Sequence, residues 1–158
     1  WDKERHELQI QWFECQMQLA REEKIPVIIH SREAAADTLA IARRMGLSEI
    51  GGVIHCFSYA KEMARKYLNM GVYLGVGGVV TFKNGRKLKE VVEYAPLSQL
   101  LLETDSPYLA PEPNRGKRNT SLNIPYIAKE IARIKGITAR EVIEITEQNA
   151  LRLFTKAF

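Results

Sequence analysis

Gly52-Val-Ile-His-Cys-Phe57 is an apolar, strand-like run, and Ser58 after it is a candidate cap for a helix with the face Ala60, Met63, Ala64, Tyr67 and Leu68, ending before Gly71. The same unit recurs on either side. Upstream, Ile25-Pro-Val-Ile-Ile-His30 reads as a buried strand with Pro at its edge. An Ala-rich helix follows from Glu33 to Met45, with Leu39, Ile41 and Ala42 inside and Gly46 as its stop. Downstream, Val72-Tyr-Leu-Gly-Val-Gly-Gly78 is a third strand, Gly85 to Tyr94 a shorter helix closed by Pro96, and Leu100-Leu-Leu-Glu-Thr-Asp105 a fourth strand. Strands that alternate with helices at this spacing, each apolar on both faces, predict an α/β fold with parallel pairing and helices packed outside.

The flanks add helices. From Glu4 to Glu23 apolar residues recur at Leu8, Trp12, Cys15 and Leu19, widened by Phe13, Met17 and Ala20, which is helical spacing. Ser106 to Asn123 is a long irregular stretch with Arg115, Lys117 and Arg118 against the single acid Glu112, and so long a loop is usually functional or disordered. Pro125 suits a first helical turn, Ile127, Ile131 and Ile134 form a stripe, and Gly136 ends it. Thr138-Ala-Arg-Glu141 is a capping-box pattern opening a last helix that carries Val142, Ile145 and Leu153.

With 158 residues, 46% hydrophobic and 27% charged, residues 1–158 have the bulk of a single domain. A formal charge of +4 permits an anionic partner without demanding one. No apolar run approaches the roughly 18 residues of a membrane span, and Trp1-Asp-Lys-Glu-Arg5 lacks the apolar stretch of a signal peptide. Cys15 and Cys56 are too few for a disulfide framework, which favours a reducing, cytoplasmic setting. A chain that opens on Trp1 reads as a piece of something longer.

Side chains alternate across a strand, so His30 shares a face with Ile28, His55 with Val53, and Asp105 with Glu103 and Leu101, while Cys56 points away from His55. Each of these strands ends on a polar residue at its carboxyl end, where parallel sheets bind ligands. Two imidazoles and a carboxylate converging there would make a hydrolytic metal centre of nitrogen and oxygen donors. The competing reading is that each merely satisfies backbone groups or caps the next helix. His6 reads as solvated surface, and Cys15 and Cys56 as inert packing residues. In Asn114-Arg-Gly-Lys-Arg-Asn119 the cations lie just past Asp105, where they either clamp a phosphate or form an ordinary solvated loop. Gly75-Val-Gly77-Gly78 lacks the phosphate-cradling spacing, and close packing or a bend at a strand end is the better reading.

Pro26-Val-Ile-Ile-His-Ser-Arg32, Val53-Ile-His-Cys-Phe-Ser58, Leu102-Glu-Thr-Asp-Ser-Pro-Tyr-Leu109 and Arg115-Gly-Lys-Arg-Asn119, in that order, resemble the TatD family of metal-dependent deoxyribonucleases from about Trp1 to Phe154. The resemblance implies a TIM-type (β/α) barrel of the metallo-dependent hydrolase superfamily, here in part: about strands five to eight plus the C-terminal helices. A typical barrel needs about 250 residues, so this chain falls about 90 short. By motif, His30 and His55 would bind one divalent ion, Asp105 would bind or bridge at a second, and Glu103 would be a neighbouring catalytic carboxylate. The ions, two per complete site, would be Mg²⁺, or Mn²⁺ or Zn²⁺ in its place. The family's His-x-His pair and bridging Glu are not found and are expected before Trp1. After Arg118-Asn119, where many relatives have Glu-Pro, this chain has Thr120-Ser-Leu-Asn-Ile-Pro125. The implied substrate is DNA, cleaved at phosphodiester bonds often from the 3′ end, with Arg32, Lys117, Arg118 and Asn119 holding flanking phosphates. Two other outcomes stay open: amide or ester hydrolysis within the same superfamily, or a half-barrel, inactive alone, that associates with itself or with the missing N-terminal half through its open edges.

Overall fold

A computed structural model describes residues 5–155 of the chain; the expected helix start at Glu4 lies outside them. Four strands, β1 (Val27–His30), β2 (Gly52–His55), β3 (Tyr73–Val76) and β4 (Leu100–Leu102), form one sheet in the order β1-β2-β3-β4, every neighbouring pair parallel. Between and around them run α1 (His6–Glu23), α2 (Ala35–Arg44), α3 (Leu47–Ile50), α4 (Lys61–Leu68), α5 (Arg86–Tyr94), α6 (Ile124–Lys135) and α7 (Ala139–Leu153). Ile29, Ile54, Leu74, Val76 and Leu100 point to the helical side and pack with Tyr67, Val91, Ile127 and Ile131 in a buried core. This is the α/β architecture that the alternating pattern predicts. No helix among the described residues is long and apolar enough to cross a membrane.

Local signals explain most boundaries. Thr138 and Glu141 form the capping box in full, and α6 starts with Pro in its first turn and ends on Gly136 at φ 70°. The strands are shorter than expected: β1 starts after Pro26, β2 ends on His55 and β4 on Leu102, and Gly78–Thr81 closes into a 3-10 turn instead of extending β3. The helix after β2 begins at Lys61 without a side-chain cap, so Ser58 does not cap it.

Two helical faces differ from expectation. On α1 it is Met17 and Ala20 that are buried, with Phe13 packed against the core, whereas Leu8, Trp12 and Leu19 are exposed and so is Cys15. The helix has two apolar stripes, and among the described residues only one is buried. The other borders an open groove of about 620 Å³ between α1, β1 and α2. On α7 the buried face is Val142, Thr146 and Asn149 rather than Val142, Ile145 and Leu153. Thr146 Oγ1 donates back to Val142 O at 2.8 Å, and Asn149 Nδ2 donates to Leu97 O and Leu100 O, both at 2.8 Å. Asn149 thus satisfies carbonyls at the β4 edge. At the other edge no strand among the described residues pairs with β1, and Ile28 on its outer face is 64% exposed.

Candidate metal centre

The parallel register sets His30 beside His55, each the last residue of its strand, with ring centroids 6.1 Å apart. Past β4, Glu103 N–H donates to Val76 O at 3.2 Å, so the ladder holds one residue beyond the strand and aims the Glu103 carboxylate across β3 toward β2. It passes over Gly75, where any Cβ would overlap the carboxylate. The glycine is the gap that lets an acid on β4 reach an imidazole two strands away.

His55 is gripped from both ring nitrogens. Nδ1 lies 2.9 Å from Glu103 Oε2, and Nε2 lies 3.4 Å from Asp105 Oδ1. The other Glu103 oxygen, Oε1, accepts from Cys56 N–H, where the chain leaves β2 in the left-handed region at φ 47°. Both Glu103 oxygens are therefore engaged, which fits a carboxylate that orients a histidine and leaves the opposite nitrogen to a ligand. The Asp105 side chain is 39% exposed against 17% for Glu103, so Asp105 is the more open of the two acids.

Burial disfavours charge on His55, but Glu103 and then Asp105 outweigh it and raise the imidazole above 6.5. Glu103 is also raised, because burial outweighs the opposing pull of His55 and the Cys56 N–H. A simple exposed ion pair would instead lower the acid. Burial, with the charges of Glu103 and Asp105, pushes the Cys56 thiol up to about 11, so it is no ready nucleophile.

A hydroxyl network, unrecognised in the sequence, braces the centre. Ser31, directly after His30, shares hydrogen bonds with Thr38 Oγ1 at 2.8 Å and Tyr59 OH at 2.7 Å, tying the end of β1 to α2 and to the segment after β2. The only hint lay in polar residues that would otherwise be buried unpaired.

The remaining expected residues are dispersed. Arg32, Lys117 and Arg118 are exposed. Asn119 departs from its expected phosphate role: it is 1% exposed, its Nδ2 donates to Tyr108 O at 2.7 Å, and its Oδ1 accepts from Thr120 N and Asn123 Nδ2, both at 2.9 Å. A short amide with every polar atom engaged fastens the loop and has nothing left for a phosphate. His6 is exposed as expected, and its Nε2 lies 3.1 Å from Asp37 Oδ2.

His30, His55 and Asp105 supply imidazole nitrogen and carboxylate oxygen, the donors that suit Zn²⁺, Mn²⁺ or Mg²⁺ chemistry. In kind they fit a divalent ion. In number they fall short, since among the described residues no three His, Cys, Asp or Glu close into a group that could hold one.

Such a rim at the carboxyl ends of parallel strands is where α/β proteins place their ligand sites. Residues 1–155 match the family model described as TatD related DNase, and the chain belongs to that family. It is 46% identical over 154 residues to the uncharacterized metal-dependent hydrolase YabD of Bacillus subtilis, covering 98% of this chain and 60% of that protein. It is 34% identical over 148 residues to a Rahnella protein named 3′-5′ ssDNA/RNA exonuclease TatD, covering 90% of this chain and 56% of that protein. Among solved structures, YJJV, a TatD homologue from Escherichia coli K12, superposes with a TM-score of 0.90 at 28% identity, over 98% of this chain and 60% of the other. The chain thus spans 49% to 60% of the length of the curated relatives it matches.

Proposed function

We propose that this chain supplies part of the metal centre of a hydrolase that cleaves phosphodiester bonds in DNA. The observation that carries the reading is His55, held at Nδ1 by the partly buried Glu103 carboxylate and facing the more open Asp105 carboxylate at Nε2. Two relatives' names support it in part: metal-dependent hydrolase for the Bacillus protein and exonuclease for the Rahnella one. Under this reading β1 to β4 are strands five to eight of a TIM-type barrel, residues 1–158 are one half-barrel domain, and the setting is the cytoplasm. The further ligands belong to polypeptide that this chain does not span.

His30, His55 and Asp105 would hold divalent ions, two in the complete site and Mg²⁺, Mn²⁺ or Zn²⁺ by their donor types. Such an ion supplies Lewis acidity at a phosphoryl oxygen and makes water more acidic. The protein's own part is positioning. Glu103 fixes the ring plane of His55 and its Nδ1 proton, keeping Nε2 toward Asp105. Arg32, Lys117 and Arg118 would attract flanking phosphates, giving affinity with little base selectivity.

Basic residues past Asp105 favour a phosphate substrate over an amide or ester. The test is a panel of single-stranded DNA, a small phosphodiester and an amide, offered with Mg²⁺, Mn²⁺ or Zn²⁺ to the full polypeptide that carries this chain and to its His55→Ala variant. DNA cleavage lost in the variant is expected. Amide turnover without DNA cleavage, or a fully active variant, refutes the assignment. A second reading rests on the exposed α1 stripe and the open β1 edge: a half-barrel, inactive alone, that binds its own copy or a missing half.

A further inference from the structure

Tyr108 is the third residue after Asp105, and it is 70% exposed. An exposed Tyr presents an apolar ring face together with a polar hydroxyl. Here the backbone is fastened on both sides. Tyr108 N–H donates to Asp105 O at 2.7 Å, Tyr108 O accepts from Asn119 Nδ2 at 2.7 Å, and Asn119 N–H donates to Pro107 O at 3.0 Å. Asn119 is itself locked by Asn123, whose Oδ1 accepts from Asn114 Nδ2 at 2.9 Å. The next residue, Leu109, sits at φ 53°, and its carbonyl packs so close to Gly78 that a Cβ there would collide with it. The loop is therefore built to hold Tyr108 in place.

The place is specific. The Tyr108-to-Asp105 hydrogen bond closes a four-residue turn, which keeps the two Cα atoms within about 7 Å. Tyr108 thus lies one turn of backbone from the more open acid. The same loop brings the cations: Lys117 and Arg118 are exposed, and the Arg115 guanidinium lies 3.8 Å from the centroid of the Phe82 ring. A rigid aromatic with cations along one loop matches how proteins hold single strands, with bases on π-faces and phosphates on positive charge.

We infer that Tyr108 is a stacking platform for one base of a single-stranded nucleic acid lying across the rim, with Lys117 and Arg118 on its phosphates. The inference rests on the nuclease reading above and assigns Tyr108 a role in it. Every base has a π-face, so the platform accepts any sequence. In a duplex the bases already stack on one another, so it selects single strands. The backbone beneath the ring is fastened before binding, so little main-chain freedom is lost when the base arrives.

The experiment is fluorescence anisotropy of a labelled oligothymidylate with the chain in EDTA, which bars cleavage, comparing the unaltered protein, Tyr108→Phe and Tyr108→Ala. An oligomer of equal length with abasic sites and a duplex complete the set. Expected are tighter binding to the single strand than to the duplex, no change for Tyr108→Phe, and weakening of about 5- to 150-fold for Tyr108→Ala. That loss should vanish on the abasic oligomer. Unchanged binding by Tyr108→Ala, or an equal loss with and without bases, overturns the platform and leaves the nuclease reading standing. No binding of single strands by the unaltered chain overturns the platform. Thermal melting of Tyr108→Ala should match the unaltered protein, because the lost ring is exposed.

Discussion

Placing a methyl group on Gly75 tests how the centre is assembled. A Cβ there would sit 2.5 Å from Glu103 Cδ and 2.9 Å from Oε1, whereas ordinary contact begins near 3.4 Å. The carboxylate must therefore retreat by about 1 Å, the difference between 3.4 and 2.5 Å. The same retreat carries Oε2 out of hydrogen-bond reach of His55 Nδ1, now 2.9 Å away. A hydrogen bond to a charged group contributes about 1.5–3 kcal/mol. Replacing a strand glycine by alanine returns about 0.5–1 kcal/mol of chain entropy. Gly75→Ala should then destabilise by about 1–2 kcal/mol net. Urea unfolding measures this directly, and repeating the substitution in a Glu103→Ala background isolates the cause. With the carboxylate gone the added methyl has nothing to strike, and the substitution should be neutral or mildly stabilising. Equal destabilisation in both backgrounds would refute the view that Gly75 exists to let Glu103 pass.

Four other outcomes follow from particular contacts. Asn149→Ala removes two donors from Leu97 O and Leu100 O and should cost about 2–3 kcal/mol in urea unfolding; a loss under 0.5 kcal/mol would show that those carbonyls find other partners. Tyr67 is fully buried, its hydroxyl meets no partner among the described residues, and burial first of all pushes it up to about 12. Tyr67→Phe should therefore leave stability unchanged or raise it, and a loss above about 1 kcal/mol would reveal an unseen bond. Glu130 is held below the usual carboxylate range, chiefly by its hydrogen bond to Arg133 and then by Lys89. Because the folded pKa is lowered, its stabilisation is present above about 4.5 and fades as pH falls through the folded value; the melting difference from Glu130→Gln should shrink on acidification, and a constant difference would contradict the link. The uncovered α1 stripe and β1 edge should make the chain self-associate or bind an apolar dye, so a dilute monomer without dye binding would sink the open-edge reading.

Much of this was legible because strand period and turn residues are local signals. The four strand runs, the Thr138 capping box and the Gly136 stop each depend on a few neighbouring residues. Setting His30 beside His55 needed only two parallel strands that each end on a histidine, and Asp105 reaches His55 from the segment after β4. Where two answers satisfied the same spacing, periodicity could not choose: α1 has two apolar stripes, and tertiary contact selected Met17 and Ala20 over Leu8 and Trp12. Asn119 and Asn149 escaped for a related reason. Asn119 carries a phosphate role by its motif and Asn149 carries no signal at all, and only the fold shows the carbonyls that make each a fastener. Gly75 was read as close packing, but its partner lies 28 positions away at Glu103, beyond any local pattern.

The claim beneath the whole account is that His55 Nε2, His30 and Asp105 face one site for a divalent ion. Nuclear magnetic resonance of the histidine rings during Mn²⁺ titration of the chain tests it even if binding is weak. The fold also supplies a control, since His6 lies beside a carboxylate, Asp37, as His55 does, but far along the chain on exposed α1. The account requires that Mn²⁺ broaden the ring signals of His55 and His30 first and leave His6 sharp. Equal broadening of His6 and His55, or a His55 ring that stays sharp throughout, would contradict it.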